Sequence, residues 1–194
     1  MTDPAPASTG PAATERHGFT LTWRFPVPRD RVFRAWTDPA HLDWFFNDEQ
    51  PRPAEPTEVD LRVGGAWRQT MVIDAETRYV TGGVYREIVP DERLVFVFGA
   101  VGGWPELAGP AIDDAPVTTL TFVDAEVDGA PGTLLTLDLD FPVHLDEHVA
   151  RELLGAMRPG WQQTVARLRA EIGGAGVEGA AIGGAGGGGV AESD

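Results

Sequence analysis

The 194-residue chain has no cysteine, and its 15 basic residues are all arginine, so lysine is missing as well. Without cysteine there can be no disulfide scaffold, no thiolate metal site and no cysteine nucleophile. Without lysine there can be no Schiff-base catalyst and no phosphate loop of the Walker type. Positive charge is scarce overall: 30 acidic residues against 15 basic ones give a formal charge of −15. Nucleic acid and anionic membrane both need a basic face, so neither is expected as a partner. No apolar run approaches the ~20 residues of a membrane-spanning helix. The first residues, MTDPAPASTGPAATER, lack the basic-then-apolar pattern of a secretory signal, and the cytoplasm is the expected location.

What the chain does contain is unevenly distributed. Residues 1–16 are rich in Pro, Ala, Ser and Thr, and residues 173–194 hold 10 of the 24 glycines with no aromatic residue. Segments of this kind bury too little apolar surface to offset their ordering entropy, so both are expected to be disordered tails. All six tryptophans and all nine phenylalanines fall within residues 17–172, the expected single folded domain. The tails contribute only −1 and −3 to the net charge, so the acidity belongs to that domain.

Hydrophobic periodicity gives the order of elements. Phe19, Leu21, Trp23 and Phe25 alternate with polar residues and predict a strand over 19–25. After Pro26 and Pro28, the spacing of Val32, Phe33 and Trp36 predicts a helix over 29–36. Asp38-Pro39 opens a second short helix carrying Leu42 and Phe45, and residues 47–57 read as a proline-rich loop. Strands are predicted over 59–63, 66–74, 79–89, 93–98, 117–126 and 133–141. They are separated by turn-forming stretches such as Gly64-Gly65 and Asp128-Gly129. Val149, Leu153, Met157, Trp161, Val165, Leu168 and Ile172 recur mostly four apart and predict a long amphipathic helix over 146–172, kinked or restarted at Pro159. Segregated strands followed by one long helix imply an α+β fold in which a curved seven-stranded antiparallel sheet packs on that helix and leaves a cavity between them.

Several blocks carry a family resemblance. They are Val27-Pro28, then Val32-Phe33-Arg34-Ala35-Trp36-Thr37-Asp38-Pro39 with Leu42 and Trp44; Asp60-Leu61-Arg62-Val63-Gly64-Gly65-Ala66-Trp67-Arg68; Gly83-Val84-Tyr85-Arg86-Glu87-Ile88-Val89-Pro90 with Glu92-Arg93-Leu94-Val95-Phe96; and Gly160-Trp161 with Leu168. In this order and spacing the chain resembles the SRPBCC (START-like, birch-pollen-allergen-like) superfamily, within it the branch of heat-shock-protein-90 ATPase activator homologues. The resemblance implies the helix-grip fold. That scaffold serves ligand carriers, polyketide cyclases, sequestering proteins and co-chaperones alike, so it does not by itself name a function. Residues 99–116 form a longer connection than is usual in the family, a length typical of binding loops and lids, in which Trp104 reads either as a lid anchor or as a plain packing contact.

Few residues suggest covalent or acid–base chemistry. His144-Leu145-Asp146-Glu147-His148 spells the H-x-x-E-H pattern of an inverted zinc site. Pro142 and an N-capping Asp146 would place His144 outside the helix, so capping accounts for the acidic residues and no metal or cofactor is expected. His17 falls at the tail boundary, and His41 beside Trp44 reads as a rim or surface residue. Asp138 and Asp140 alternate with Leu137 and Leu139 and read as a solvent face.

The remaining candidate is the cavity. Its expected ligand-binding residues are Trp67, Gln69, Met71, Tyr85, Phe96, Phe98, Trp104, Leu137, Phe141, Met157 and Trp161, joined by Leu135 and Leu153. Arg68, Tyr85 and Gln69 are the polar candidates for orienting a ligand; which face of the Tyr85 strand points inward stays open. The first reading is non-covalent binding of a small hydrophobic or aromatic molecule. A cyclase or dehydratase ranks second, because no inward His/Asp pair is evident. A co-chaperone-like interaction module ranks third, and a homodimer is left open.

Overall fold

The computed structural model describes residues 18–46, 51–101, 112, 115–142 and 146–178. The elements run β1 (Gly18–Phe25), α1 (Arg29–Thr37), two single-turn 3₁₀ helices (Pro39–His41 and Asp43–Phe45), β2 (Glu58–Val59), β3 (Ala66–Val72), β4 (Arg78–Val89), β5 (Arg93–Ala100), β6 (Val117–Val127), β7 (Ala130–Asp140) and α2 (Glu147–Glu178). One antiparallel sheet is ordered β1-β7-β6-β5-β4-β3-β2. Strands β2 to β7 form a meander, and β1 joins its last strand with Leu21 opposite Leu137. This is the α+β helix-grip architecture expected from the element order.

The turns explain the register. Asp128 and Gly129 both have positive φ (53° and 80°), the backbone a two-residue hairpin needs to match strand twist, so β6 and β7 pair directly up to Val127 and Ala130. At the other edge, the expected strand over 59–63 is reduced to Glu58–Val59. The Asp60 N–H donates to the Ala66 carbonyl, and Arg62 and Gly65 donate to Asp60 and Arg62 in turn. That curls 60–65 into a turn and leaves Leu61 and Val63 exposed. β3 stops at Val72 rather than Asp74 because the Asp74 carboxylate accepts from the Glu76 and Thr77 amides and closes the next turn.

α2 starts where capping predicts: the Asp146 carboxylate accepts from the His148 and Val149 amides. Its buried stripe begins at Ala150, however, with Val149 exposed. It continues through Leu153, Leu154, Met157, Trp161, Val165, Leu168 and Ile172. Pro159 sits inside the helix, which continues past it to Glu178, six residues into the segment read as a tail. The residues beyond 178, those before 18 and most of the 99–116 connection lie outside the described residues.

The core divides into two zones. At one end Val32 and Phe33 of α1 pack on Phe122, Leu120, Leu135, Leu137 and Leu139, with the Phe33 and Phe122 rings edge to face at 5.4 Å. At the other end the packing is almost wholly aromatic.

Candidate functional site

That second zone joins seven rings from five elements. Trp36 of α1 lies 4.8 Å from Trp44 and stacks on Trp161 of α2 at 5.9 Å. Phe45 meets Trp44, Trp67 and Trp161 at 5.8, 5.8 and 6.3 Å. Trp67 of β3 continues to Phe96 of β5 at 6.3 Å, and Phe98 returns to Trp161 at 5.9 Å. Nearly all these contacts are edge to face, the arrangement favoured by ring quadrupoles and worth about 0.5–1.5 kcal/mol per pair beyond burial.

Local backbone features place the rings. The 3₁₀ turn carrying Trp44 and Phe45 is tied down from two sides. The Trp44 indole N–H donates to the Ala35 carbonyl at 2.8 Å. The Arg167 guanidinium of α2 donates to the Trp44 and Phe45 carbonyls at 3.0 and 3.2 Å. Trp67 lies over Gly83, its register partner on β4. A Cβ at Gly83 would stand 2.5 Å from the Trp67 indole nitrogen and 2.6 Å from the Val97 carbonyl, so only glycine leaves room for the ring.

The orientation of β4 is settled by an irregularity. The pairing with β5 shifts between Tyr85 and Glu87, a β-bulge that changes the parity of the strand. Tyr85 therefore points inward (1% exposed) and Ile88 packs against the core, while Arg86 and Glu87 both face out. Burial alone raises the Tyr85 hydroxyl pKa well above the usual tyrosine value, so the phenol stays neutral.

Two spaces lie among the rings. An inner cavity of about 20 Å³ is lined by Trp36, Leu42, Trp44, Phe45, Trp67, Gln69, Tyr85, Leu94, Phe96 and Trp161. An outer cleft of about 200 Å³ opens beside α2 between Phe45, Phe98, Met157, Gly160, Trp161 and Thr164. Phe45 and Trp161 belong to both, so these two rings partition one space from the other. None of the described lining residues is charged. Wider surface depressions of about 390 and 540 Å³ lie against Glu55 and Pro56; charged residues take part in both linings, and the first also reaches Gln69.

The residues expected from sequence are sorted by this geometry. Trp67, Gln69, Tyr85, Phe96 and Trp161 line the inner cavity; Phe98 and Met157, with Trp161, line the outer cleft. Met71 supports Gln69, whose side-chain amide donates to the Met71 sulfur at 3.6 Å. Leu135, Leu137 and Phe141 are buried in the core on or just after β7, which lies between β1 and β6, and line neither space. Leu153 packs partly buried against the core and does not line either space. Trp104 lies outside the described residues. Arg68 is exposed on the opposite sheet face, removing it as a ligand-orienting group here. His41 is a surface residue beside Asp38, and His148 is exposed near Glu152. His144 lies outside the described residues. Asp138 lies on the outer face and accepts from the Thr20 hydroxyl.

Trp36, Trp44, Phe45 and Leu42 complete the site and were missed as lining residues. The signal was present in the Asp38-Pro39 turn, which folds the second aromatic pair back over the first helix. Periodicity within either segment does not reveal that reversal.

Among solved structures, the chain resembles protein CV1439 from Chromobacterium violaceum (25% identity, TM-score 0.57, covering 81% of this chain and 97% of that one). It also resembles protein Ms6760 from Mycobacterium smegmatis (19%, 0.62, 82% and 93%). A third is the AHSA1 protein from Silicibacter pomeroyi (23%, 0.57, 80% and 96%). A comparison with curated proteins finds none that matches. The family model described as "Activator of Hsp90 ATPase homolog 1-like protein" matches residues 26–173, the whole of the described sheet beyond β1 together with nearly all of α2, and the chain therefore belongs to that family.

Proposed function

We propose that this protein binds a small apolar molecule non-covalently at the aromatic end of the helix-grip core. The observation that carries this reading is the pairing of an open apolar cleft of about 200 Å³ with an inner cavity behind two shared rings. A space of about 150 Å³ lined by apolar side chains is enough to hold benzene. The driving force is apolar burial, at about 25 cal/mol per Å² before entropic losses. Phe45 and Trp161 must turn aside for a ligand to reach the inner cavity. Gly160 beside Trp161 and Pro159, which lacks the N–H that would donate to the Gly155 carbonyl, soften α2 at that point.

The lining also favours this reading over a cyclase-type reaction. Acid–base work needs a titratable group within reach of the substrate, and the described lining offers a phenol held neutral and an amide rather than a carboxylate or imidazole. A chaperone-directed interaction remains a second reading, favoured only by the family assignment and the acidic surface.

Four tryptophans sit in the cluster and report on the site. Titration with neutral N-phenyl-1-naphthylamine should quench their fluorescence saturably, and Met157→Trp, which fills the cleft from its solvent side, should abolish the response. No response in the wild-type protein, or an unchanged one in the Met157 variant, would overturn the proposal.

A further inference from the structure

The inner cavity differs from the cleft in one respect: three of its lining side chains carry polar hydrogens, and one of these has no partner among the described residues. Gln69 is 3% exposed and also borders the depression of about 390 Å³; among the described residues its amide N–H donates to a thioether sulfur, a weak acceptor. The Trp36 indole N–H, also at this cavity, is buried with no hydrogen-bond partner among the described residues. Tyr85, 1% exposed, lines the same wall with its phenol. A buried donor left in the state of the Trp36 N–H costs about 1–3 kcal/mol. In an otherwise aromatic wall that donor is expensive unless something else satisfies it.

The available chemistry is mainly that of donors: an indole N–H, an amide NH₂ and a phenol O–H. What they would satisfy is an oxygen carrying lone pairs. The cavity is about 20 Å³, slightly more than the ~10–15 Å³ that one water-sized group needs. It therefore admits a single oxygen and little else. The described lining contains no arginine or histidine to offset a negative charge, and burying an unpaired ion is far more costly than burying a neutral polar group. The outer cleft, ten times larger and apolar, suits a ring-sized hydrocarbon body.

We infer that the ligand is a neutral aromatic alcohol or ketone, with its ring system in the cleft against Phe98, Met157 and Trp161 and its oxygen in the inner cavity on the Trp36 N–H, Gln69 and Tyr85. This rests on the binding function proposed above and names the ligand class for that site. The oxygen is read by hydrogen bonds, and acids of the same shape are rejected for want of a counter-charge.

The test compares three probes of one shape at pH 7: naphthalene, 2-naphthol and 2-naphthoate. Affinities are measured by isothermal titration calorimetry on the full chain. The expected order is naphthol at least tenfold tighter than naphthalene, and naphthoate weaker than either. Tyr85→Phe and Gln69→Leu, singly and together, should bring the preference for naphthol over naphthalene below threefold. Circular dichroism checks that each variant is folded, and the naphthoate comparison on the wild-type protein decides the question without any variant. Naphthoate binding as tightly as naphthol, or a naphthol preference that survives in the double variant, overturns the inference while leaving the binding function intact. Failure of all three probes to bind overturns both.

Discussion

Trp161→Ala tests whether the aromatic zone is built as described. Trp161 is 7% exposed and touches Trp36, Phe45 and Phe98. A buried aromatic side chain withdraws about 150–250 Å² from water. At about 25 cal/mol per Å² this corresponds to ~4–6 kcal/mol, an upper bound because the denatured chain already buries part of the ring. Core Trp→Ala replacements cost about 3–5 kcal/mol once cavity formation is included. One side of Trp161 borders the open cleft, so water can enter the space it leaves, and the lower end, about 3 kcal/mol, is expected. The assay is urea unfolding followed by far-UV circular dichroism, because fluorescence would lose one of its reporters. The midpoint should fall with little change in the slope against denaturant. Trp161→Phe, which keeps a ring between cavity and cleft, should cost less than half as much. The alanine variant also joins the two spaces, so it should bind a bulkier neutral probe than the wild-type protein does. A loss below about 1 kcal/mol together with an unchanged probe size limit would refute the partition.

Three further outcomes follow from named contacts. Arg167→Met removes the donors to the Trp44 and Phe45 carbonyls; the expected loss is about 2 kcal/mol, with faster amide exchange at Phe45 and Phe46 than elsewhere in the chain. Gly83→Ala sets a methyl group against the Trp67 ring and the Val97 carbonyl; it should cost about 1–3 kcal/mol by urea unfolding and weaken probe binding, and a silent substitution would contradict the close approach. Glu171 beside His41 has its pKa raised, first by partial burial and then by Asp43. An acid with a raised folded-state pKa destabilises the fold once ionised. The penalty is absent below the unfolded pKa, grows as pH rises through the interval up to the folded value, and is complete above it. Glu171→Gln should therefore raise the melting temperature at pH 7, with the gain vanishing in acid; an equal gain at all pH values would contradict it.

Much of the fold was legible in the chain because its signals are local. Phe19, Leu21 and Phe25 alternate as a half-buried strand must, and Asp128-Gly129 supplies the positive φ values its hairpin needs. Asp146 caps α2 through its own carboxylate. Where local signals misled, a specific contact had intervened. Leu61 and Val63 alternate like strand residues, yet the Asp60–Ala66 hydrogen bond closes a turn before a partner strand can extend. Val149 fits a four-residue spacing from Leu153, but the stripe that meets the sheet begins at Ala150.

The sequence by itself determined the element order, the absence of thiol and lysine chemistry, the acidic domain and the aromatic material from which the site is made. It also supplied Trp67, Gln69, Tyr85, Phe96 and Trp161, which the structure brings together around the inner cavity. Tertiary structure decided how open the site is. The same rings that mark a ligand pocket in sequence largely fill it in space, leaving an inner cavity of about 20 Å³ behind Phe45 and Trp161. That outcome depends on Trp36 and Trp44 folding back from one end of the chain onto Trp161 at the other, and on a bulge in β4 that lets Tyr85 face inward while Glu87 faces out. Packing volume and bulge parity arise from contacts between distant segments, and a periodicity read along one segment carries no information about either.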